Sequence, residues 1–162
     1  MLKWLQQQQL RMQLIKEKYM PRFSKRLNNI SRMQSLFRAE RLNSLNPSYH
    51  TYILAICRMP GVTQDALAKD ICVNKSTVTR RLDWLESEGY VLRKSDECDK
   101  RCTLVYPTEK MKAILPEIKK IAGEWMRTLT DGISDEEIAV FESVLCRMES
   151  RGKAAVFGEV EE

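Results

Sequence analysis

The stretch Thr63-Gln64-Asp65-Ala66-Leu67-Ala68-Lys69-Asp70-Ile71-Cys72-Val73-Asn74-Lys75-Ser76-Thr77-Val78-Thr79-Arg80-Arg81-Leu82-Asp83-Trp84-Leu85-Glu86-Ser87-Glu88-Gly89 decides the fold. Thr63 suits the N-cap of a helix whose apolar side is Leu67, Ala68 and Ile71. A short break at Cys72-Val73 leads to Asn74, a second N-cap, and to a longer helix that Gly89 stops. At about 100° per residue, Val78, Leu82 and Leu85 share one side of that second helix, and Ser76, Arg80, Asp83 and Ser87 fall opposite. The result is two short helices joined by a tight turn, the second presenting hydroxyls and a guanidinium outward.

Beyond Gly89 the apolar period changes. Tyr90-Val91-Leu92-Arg93-Lys94 and Cys102-Thr103-Leu104-Val105-Tyr106 read as two strands of a hairpin around the charged turn from Ser95 to Arg101. Helix, turn, helix, hairpin is the order of a winged helix-turn-helix. A B-DNA major groove admits one α-helix, whose N-terminal residues meet base edges while the preceding helix braces the backbone. Lys75, Ser76, Thr77, Thr79, Arg80 and Arg81 are therefore the candidate recognition residues. Arg93, Lys94, Asp99, Lys100 and Arg101 are the candidate wing residues. Lys100 and Arg101 at the tip suit the negative potential of a narrow minor groove, and Asp99 is placed to hold one of them by an ion pair.

The flanks read as helices. One runs from the N-terminus toward Pro21, which ends it or starts the next; a second runs from Pro21 to Leu42 with Phe23, Leu27, Ile30, Leu36 and Phe37 as its buried stripe. Ser48 is placed to cap a short helix through Tyr52, Ile53, Ala55 and Ile56 that stops at Pro60-Gly61. Thr108 opens a helix with Met111, Ile114, Leu115, Ile118, Ile121, Ala122 and Trp125 at helical spacing, kinked but not ended by Pro116. Ser134 and Glu137 form a capping box before a last helix along Ile138, Phe141, Val144, Leu145 and Met148. The fold class is thus mainly α with a small β-hairpin, a winged helix-turn-helix with N- and C-terminal dimerisation helices. Its parts are 1–47 and 108–162 for dimerisation and 48–107 for DNA, within one compact domain. The apolar stripes exceed what one such chain covers, which favours an obligate dimer.

Charge sharpens the reading. The 162 residues carry 27 Lys/Arg against 22 Asp/Glu, a net +5, which suggests a polyanionic partner. The balance is +9 over residues 1–58, zero over 59–107 and −4 over 108–162. The DNA-facing block is neutral, so the placement of Lys75, Arg80, Lys100 and Arg101 carries the inference.

Other chemistries find little support. The five cysteines are scattered without a Cys-x-x-Cys pair, and His50 is the single histidine, so no metal site, cofactor or catalytic set is expected. Cys98 and Cys102 flank the wing tip, where oxidation of either would displace Arg101; passive thiols are the alternative. No run approaches the roughly 18 apolar residues of a membrane helix, and the first residues do not read as a secretory signal, so a cytoplasmic protein is expected. A winged-helix module that docks protein without specific DNA binding is the rival reading.

The ordered residues Thr63-Gln64-x-x-Leu67-Ala68, Lys75-Ser76-Thr77-Val78-Thr79-Arg80, Leu82-Asp83-x-Leu85-Glu86-x-x-Gly89, Asp96-x-x-Asp99-Lys100-Arg101 and Thr108-Glu109-Lys110 resemble the MarR (multiple-antibiotic-resistance regulator) family. The resemblance spans about Ser48 to Lys110. It implies a homodimer built from the terminal helices, with one recognition helix and one wing per half-site of a pseudopalindromic promoter. It implies a repressor whose hold on double-stranded DNA falls when a small-molecule effector, oxidant or other signal arrives. It places Arg101, supported by Asp99, in the minor groove. Tyr49, His50, Tyr52 and Trp4 would line an effector cavity or serve in packing. Three positions depart from the family pattern: Lys100 stands where arginine is common, Arg81 where an apolar residue is usual, and Cys72 where many such turns carry glycine. Arg81 is left either to reach a phosphate or to sit on the core edge. Peroxide sensors of the family carry a cysteine near the first helix, and this chain has none before Cys57.

Overall fold

The computed structural model describes residues 2–42, 45–97 and 99–158, with helical backbone alone over most of 2–21. The side chain of Trp4 and all of Cys98 lie outside the described residues. The chain divides into two compact units, 1–44 and 45–162.

The first unit is one helix, α1 (Leu2–Arg41). It corrects the expectation of a break at Pro21. A proline inside a helix removes one donor and crowds the preceding turn, but the cost is local and a 40-residue ladder of hydrogen bonds continues on both sides. Leu36, expected in a buried stripe, is 65% exposed.

The second unit opens with a 3₁₀ turn, Pro47–Tyr49, that runs into α2 (His50–Arg58). Its cap is Asn46 and not Ser48: Asn46 Oδ1 accepts from the Ser48 amide at 2.9 Å and from the Ser48 hydroxyl at 2.7 Å. Proline at the first turn position needs no amide partner, which places the cap one residue ahead of it. There follow β1 (Val62–Thr63), α3 (Gln64–Asp70), α4 (Lys75–Ser87), β2 (Val91–Ser95), β3 (Thr103–Pro107), α5 (Glu109–Thr130) and α6 (Asp135–Phe157). The wing has three antiparallel strands in the order β1-β3-β2, with Val62 and Arg93 both opposite Val105. The hairpin expectation missed β1, because two residues are too short to show alternation.

The core is made where the spacing predicted it. Ile53 and Ile56 of α2, Leu67 of α3, Val78, Leu82 and Leu85 of α4, Val105 of β3 and Met111 of α5 are fully enclosed. Burying such side chains contributes roughly 1.5–3 kcal/mol each before the cost of ordering the chain, and here it fixes α4 against the sheet. α5 is continuous through Pro116 and buries Met111, Ile118, Ile121 and Trp125. α6, opened by the expected Ser134–Glu137 capping box, buries no residue. No helix among the described residues is long and apolar enough to cross a membrane.

Candidate nucleic-acid interface

Local chemistry fixes the helix pair before any tertiary contact is needed. Thr63 Oγ1 accepts the Ala66 amide at 3.2 Å, and Asn74 Oδ1 accepts the Thr77 amide at 2.8 Å. Between the two helices Cys72 takes φ +55°, the left-handed region that the usual glycine would enter without strain. The Val73 amide closes the turn on the Ala68 carbonyl at 3.0 Å. From the far side, Arg58 Nη2 grips Asp70 at 2.6 and 2.7 Å, which fastens the end of α3 to α2.

The first turns of α4 carry the predicted recognition residues, and the structure sorts them. Ser76 and Arg80 are exposed. The Ser76 hydroxyl donates to Asn74 Oδ1 at 2.9 Å, which leaves its lone pairs open. Arg80 has no hydrogen bond or ion pair among the described residues. Thr77 is half-buried. Thr79 is turned toward α3, donating to Gln64 Oε1 at 3.2 Å and to the Lys75 carbonyl at 3.1 Å. Lys75 is exposed but paired, with Nζ 2.7 Å from Asp65 Oδ1.

Arg81 leaves the outer face altogether. Its guanidinium sits 4.8 Å from the centroid of Tyr49. Tyr49 stacks on Trp84 with centroids 4.2 Å apart, Trp84 lies 6.3 Å from Tyr90, and Lys110 Nζ is 4.4 Å from the Tyr90 ring. This ladder, cationic at both ends, ties α4 to the 3₁₀ turn and to α5. Tyr52 lies close by, its hydroxyl buried without a hydrogen-bond partner among the described residues and its pKa raised by that burial. His50 is buried as well.

The wing divides in the same way. At its tip, Asp99 Oδ1 accepts the backbone amide of Arg101 at 3.0 Å, and Asp99 Oδ2 lies 3.5 Å from Cys102 Sγ. The carboxylate thus shapes the turn through the main chain, whereas an ion pair with the side chain was expected. The Lys100 and Arg101 head groups are exposed and have no partner among the described residues. The bond to Asp99 holds the Cys102 thiol above its ordinary pKa, so it stays protonated and donates. At the base, Lys94 Nζ rests 5.5 Å from the Tyr106 ring. Arg93 turns inward: Nη2 is 2.8 Å from Asp83 Oδ1 and 2.6 Å from Glu86 Oε2, Nε is 2.8 Å from Glu86 Oε2, and its amide donates to Glu86 Oε1 at 3.2 Å.

Of the residues expected to meet DNA, Ser76, Arg80, Lys100 and Arg101 are exposed, and sequence reasoning missed the packing roles of Tyr49, Trp84, Asp83 and Glu86. Period-2 alternation on β2 puts Arg93 on the side of buried Val91, and the helical wheel puts Arg81 beside Val78 and Leu85; both signals were available.

The comparisons agree with this geometry. The MarR family model matches residues 45–103, from the 3₁₀ turn into β3. The uncharacterized HTH-type transcriptional regulator YybA of Bacillus subtilis (strain 168) is 28% identical over 104 residues, 64% of this chain and 69% of that protein. A MarR transcriptional regulator from Methanosarcina mazei Go1 has a TM-score of 0.72 at 27% identity, covering 81% of this chain and 96% of that one. The transcriptional regulator SlyA has a TM-score of 0.75 at 26% identity, covering 82% of this chain and 95% of that one.

Proposed function

We propose that this chain, whose residues 45–103 match the MarR family model, is a cytoplasmic, homodimeric repressor that binds a pseudopalindromic site in promoter DNA. The observation that carries this reading is the pair of guanidinium groups without a partner among the described residues, Arg80 on the outer face of α4 and Arg101 at the wing tip. An arginine in the major groove takes guanine O6 and N7 in two parallel hydrogen bonds, and one in a narrow minor groove is held by its potential. Ser76 offers an acceptor beside Arg80, and Lys75, Lys94 and Lys100 supply phosphate attraction that positions without specifying. Thr77 and Thr79 brace the helix start. The work of the chain is binding, and we assign it no catalysis and no cofactor.

The dimer follows from surface that a single chain leaves open. Met33 on α1 and Val140, Phe141, Val144 and Met148 on α6 are exposed, with Phe141 at 50%. A second copy covering these stripes sets two α4 helices against successive major grooves, about 34–36 Å apart. A signal acts by favouring a spacing that no longer matches the site, a population shift between two dimer states. An effector reaching the winged lobe beside α2 would find the Tyr52 hydroxyl in need of a partner. Cys102 serves the wing turn as a hydrogen-bond donor.

Selection from a random duplex pool tests the reading. The expected result is an inverted repeat, bound with an affinity that falls steeply as salt rises. Recovery of no sequence preference, with binding to a protein partner instead, would leave a docking module.

A further inference from the structure

Two carboxylates stand on the helix assigned to DNA. Asp83 and Glu86 lie one turn apart on α4 with side chains 55% and 37% exposed, and each would repel a phosphate. Their common partner is Arg93, whose side chain is only 21% exposed. Glu86 uses both oxygens: Oε2 takes the guanidinium and Oε1 takes the Arg93 amide. β2 is an edge strand, so that amide would otherwise face away from the sheet unpaired. The contact therefore brackets main chain and side chain at once. It lies between the C-terminal half of α4 and the strand that continues through Lys94 and Ser95 to the wing tip. Gly89, at φ +73°, is the turn about which the two would otherwise swing.

We propose that Arg93 is a positioning residue: together with Glu86 and Asp83 it sets the angle between recognition helix and wing, so that Arg80 and Arg101 reach a site as one rigid body. Arg93 itself does not touch DNA. This rests on the reading of the chain as a sequence-specific DNA-binding protein and assigns one of its basic residues to geometry. The mutual hydrogen bonds lower the Glu86 pKa and raise that of Arg93, as expected of a pair that stays ionised through the neutral range.

The sign of one substitution separates the two roles. Removing a negative charge beside DNA ordinarily strengthens binding. Here Glu86→Gln is expected to weaken binding to the selected site by about tenfold, the scale of coupling within a bridged network. Binding to random duplex is expected to hold or strengthen. Arg93→Ala is expected to lose the same specific affinity with an unchanged salt slope, because no phosphate contact is removed. The double variant is expected to be no weaker than either single one. Arg93→Lys and Asp83→Asn, which keep the charge or one arm of the clamp, are expected to fall between. Amide hydrogen exchange on the full chain without DNA supplies a second readout: residues 91–97 are expected to exchange faster in Glu86→Gln, with α2 and α5 unchanged. Tighter specific binding by Glu86→Gln, or a salt slope lowered by about one in Arg93→Ala with discrimination kept, would overturn the proposal and make Arg93 a phosphate contact. A wild-type chain with no duplex preference whose wing still loosens in Glu86→Gln would sink the regulator reading and keep the clamp.

Discussion

The two ends of α4 carry similar residues and use them in opposite ways. The N-terminal half presents Ser76 and Arg80 to solvent, and the wing tip adds Lys100 and Arg101. The C-terminal half sets Asp83 and Glu86 around Arg93, while Arg81 and Trp84 join the aromatic ladder through Tyr49 and Tyr90. Arg80, Lys100 and Arg101 have no partner among the described residues, Lys75 pairs with Asp65 on the surface, and Arg81 and Arg93 are held by protein. A guanidinium in the same short helix is thus left open to solvent or secures the frame according to the neighbours within a few ångströms. A neutral net charge over this block is what such a division produces, and it does not weaken the case for DNA.

That contrast is broken or sharpened by substitution. Arg80→Ala, on the reading side, is expected to cost about 1–3 kcal/mol of site discrimination with the thermal midpoint unmoved, as a titration of matched and mismatched duplexes would measure. Arg101→Ala is expected to lower affinity several-fold and to reduce the salt slope by about 0.9, checked by titrating one duplex at several ionic strengths. Cys72→Gly relieves the left-handed turn between the helices and is expected to raise stability by up to about 1 kcal/mol in denaturant unfolding, with discrimination unchanged. Arg81→Ala, on the framing side, is expected to lower stability by about 0.5–1 kcal/mol and to leave the salt slope alone. A fall in slope there would move Arg81 to the reading side.

The smallest effect is one of pH. Bonding to Arg93 lowers the Glu86 pKa in the folded state. The stability it contributes is then fully present above the unfolded glutamate value of about 4.3 and is lost as pH falls through the lower folded value. Wild type and Glu86→Gln are therefore expected to differ in melting temperature at about pH 6 and to converge only once the pH has fallen through the lowered folded value of Glu86. A gap that persists in acid would show that the clamp does not depend on the carboxylate charge.

How far the sequence carried these conclusions depended on whether the signal was local. Thr63, Asn74 and Ser134 cap the helices they were expected to cap, because capping needs only a side chain and an amide two or three residues on. The stripes Val78-Leu82-Leu85 and Met111-Ile118-Trp125 were visible because helical spacing is itself local. What escaped depends on distant partners. Nothing near Val62 shows that it pairs with Val105, and nothing near Arg93 shows that Glu86 stands seven residues back across a turn. The helical wheel put Arg81 beside the apolar face, but nothing near it showed that Tyr49 would receive its guanidinium. Pro21 misled in the other direction: its local penalty was legible, and the continuity of the helix around it was not.

The central claim is that the N-terminal half of α4 reads bases in a symmetric pair of sites. Parallel selection from a random duplex pool with the wild-type chain and with Arg80→Ala tests it most directly. The account predicts that both yield the same inverted repeat and that the variant loses base preference at the matching position of each half-site. Full preference at every position in the Arg80→Ala pool, or no repeat in the wild-type pool, would contradict it.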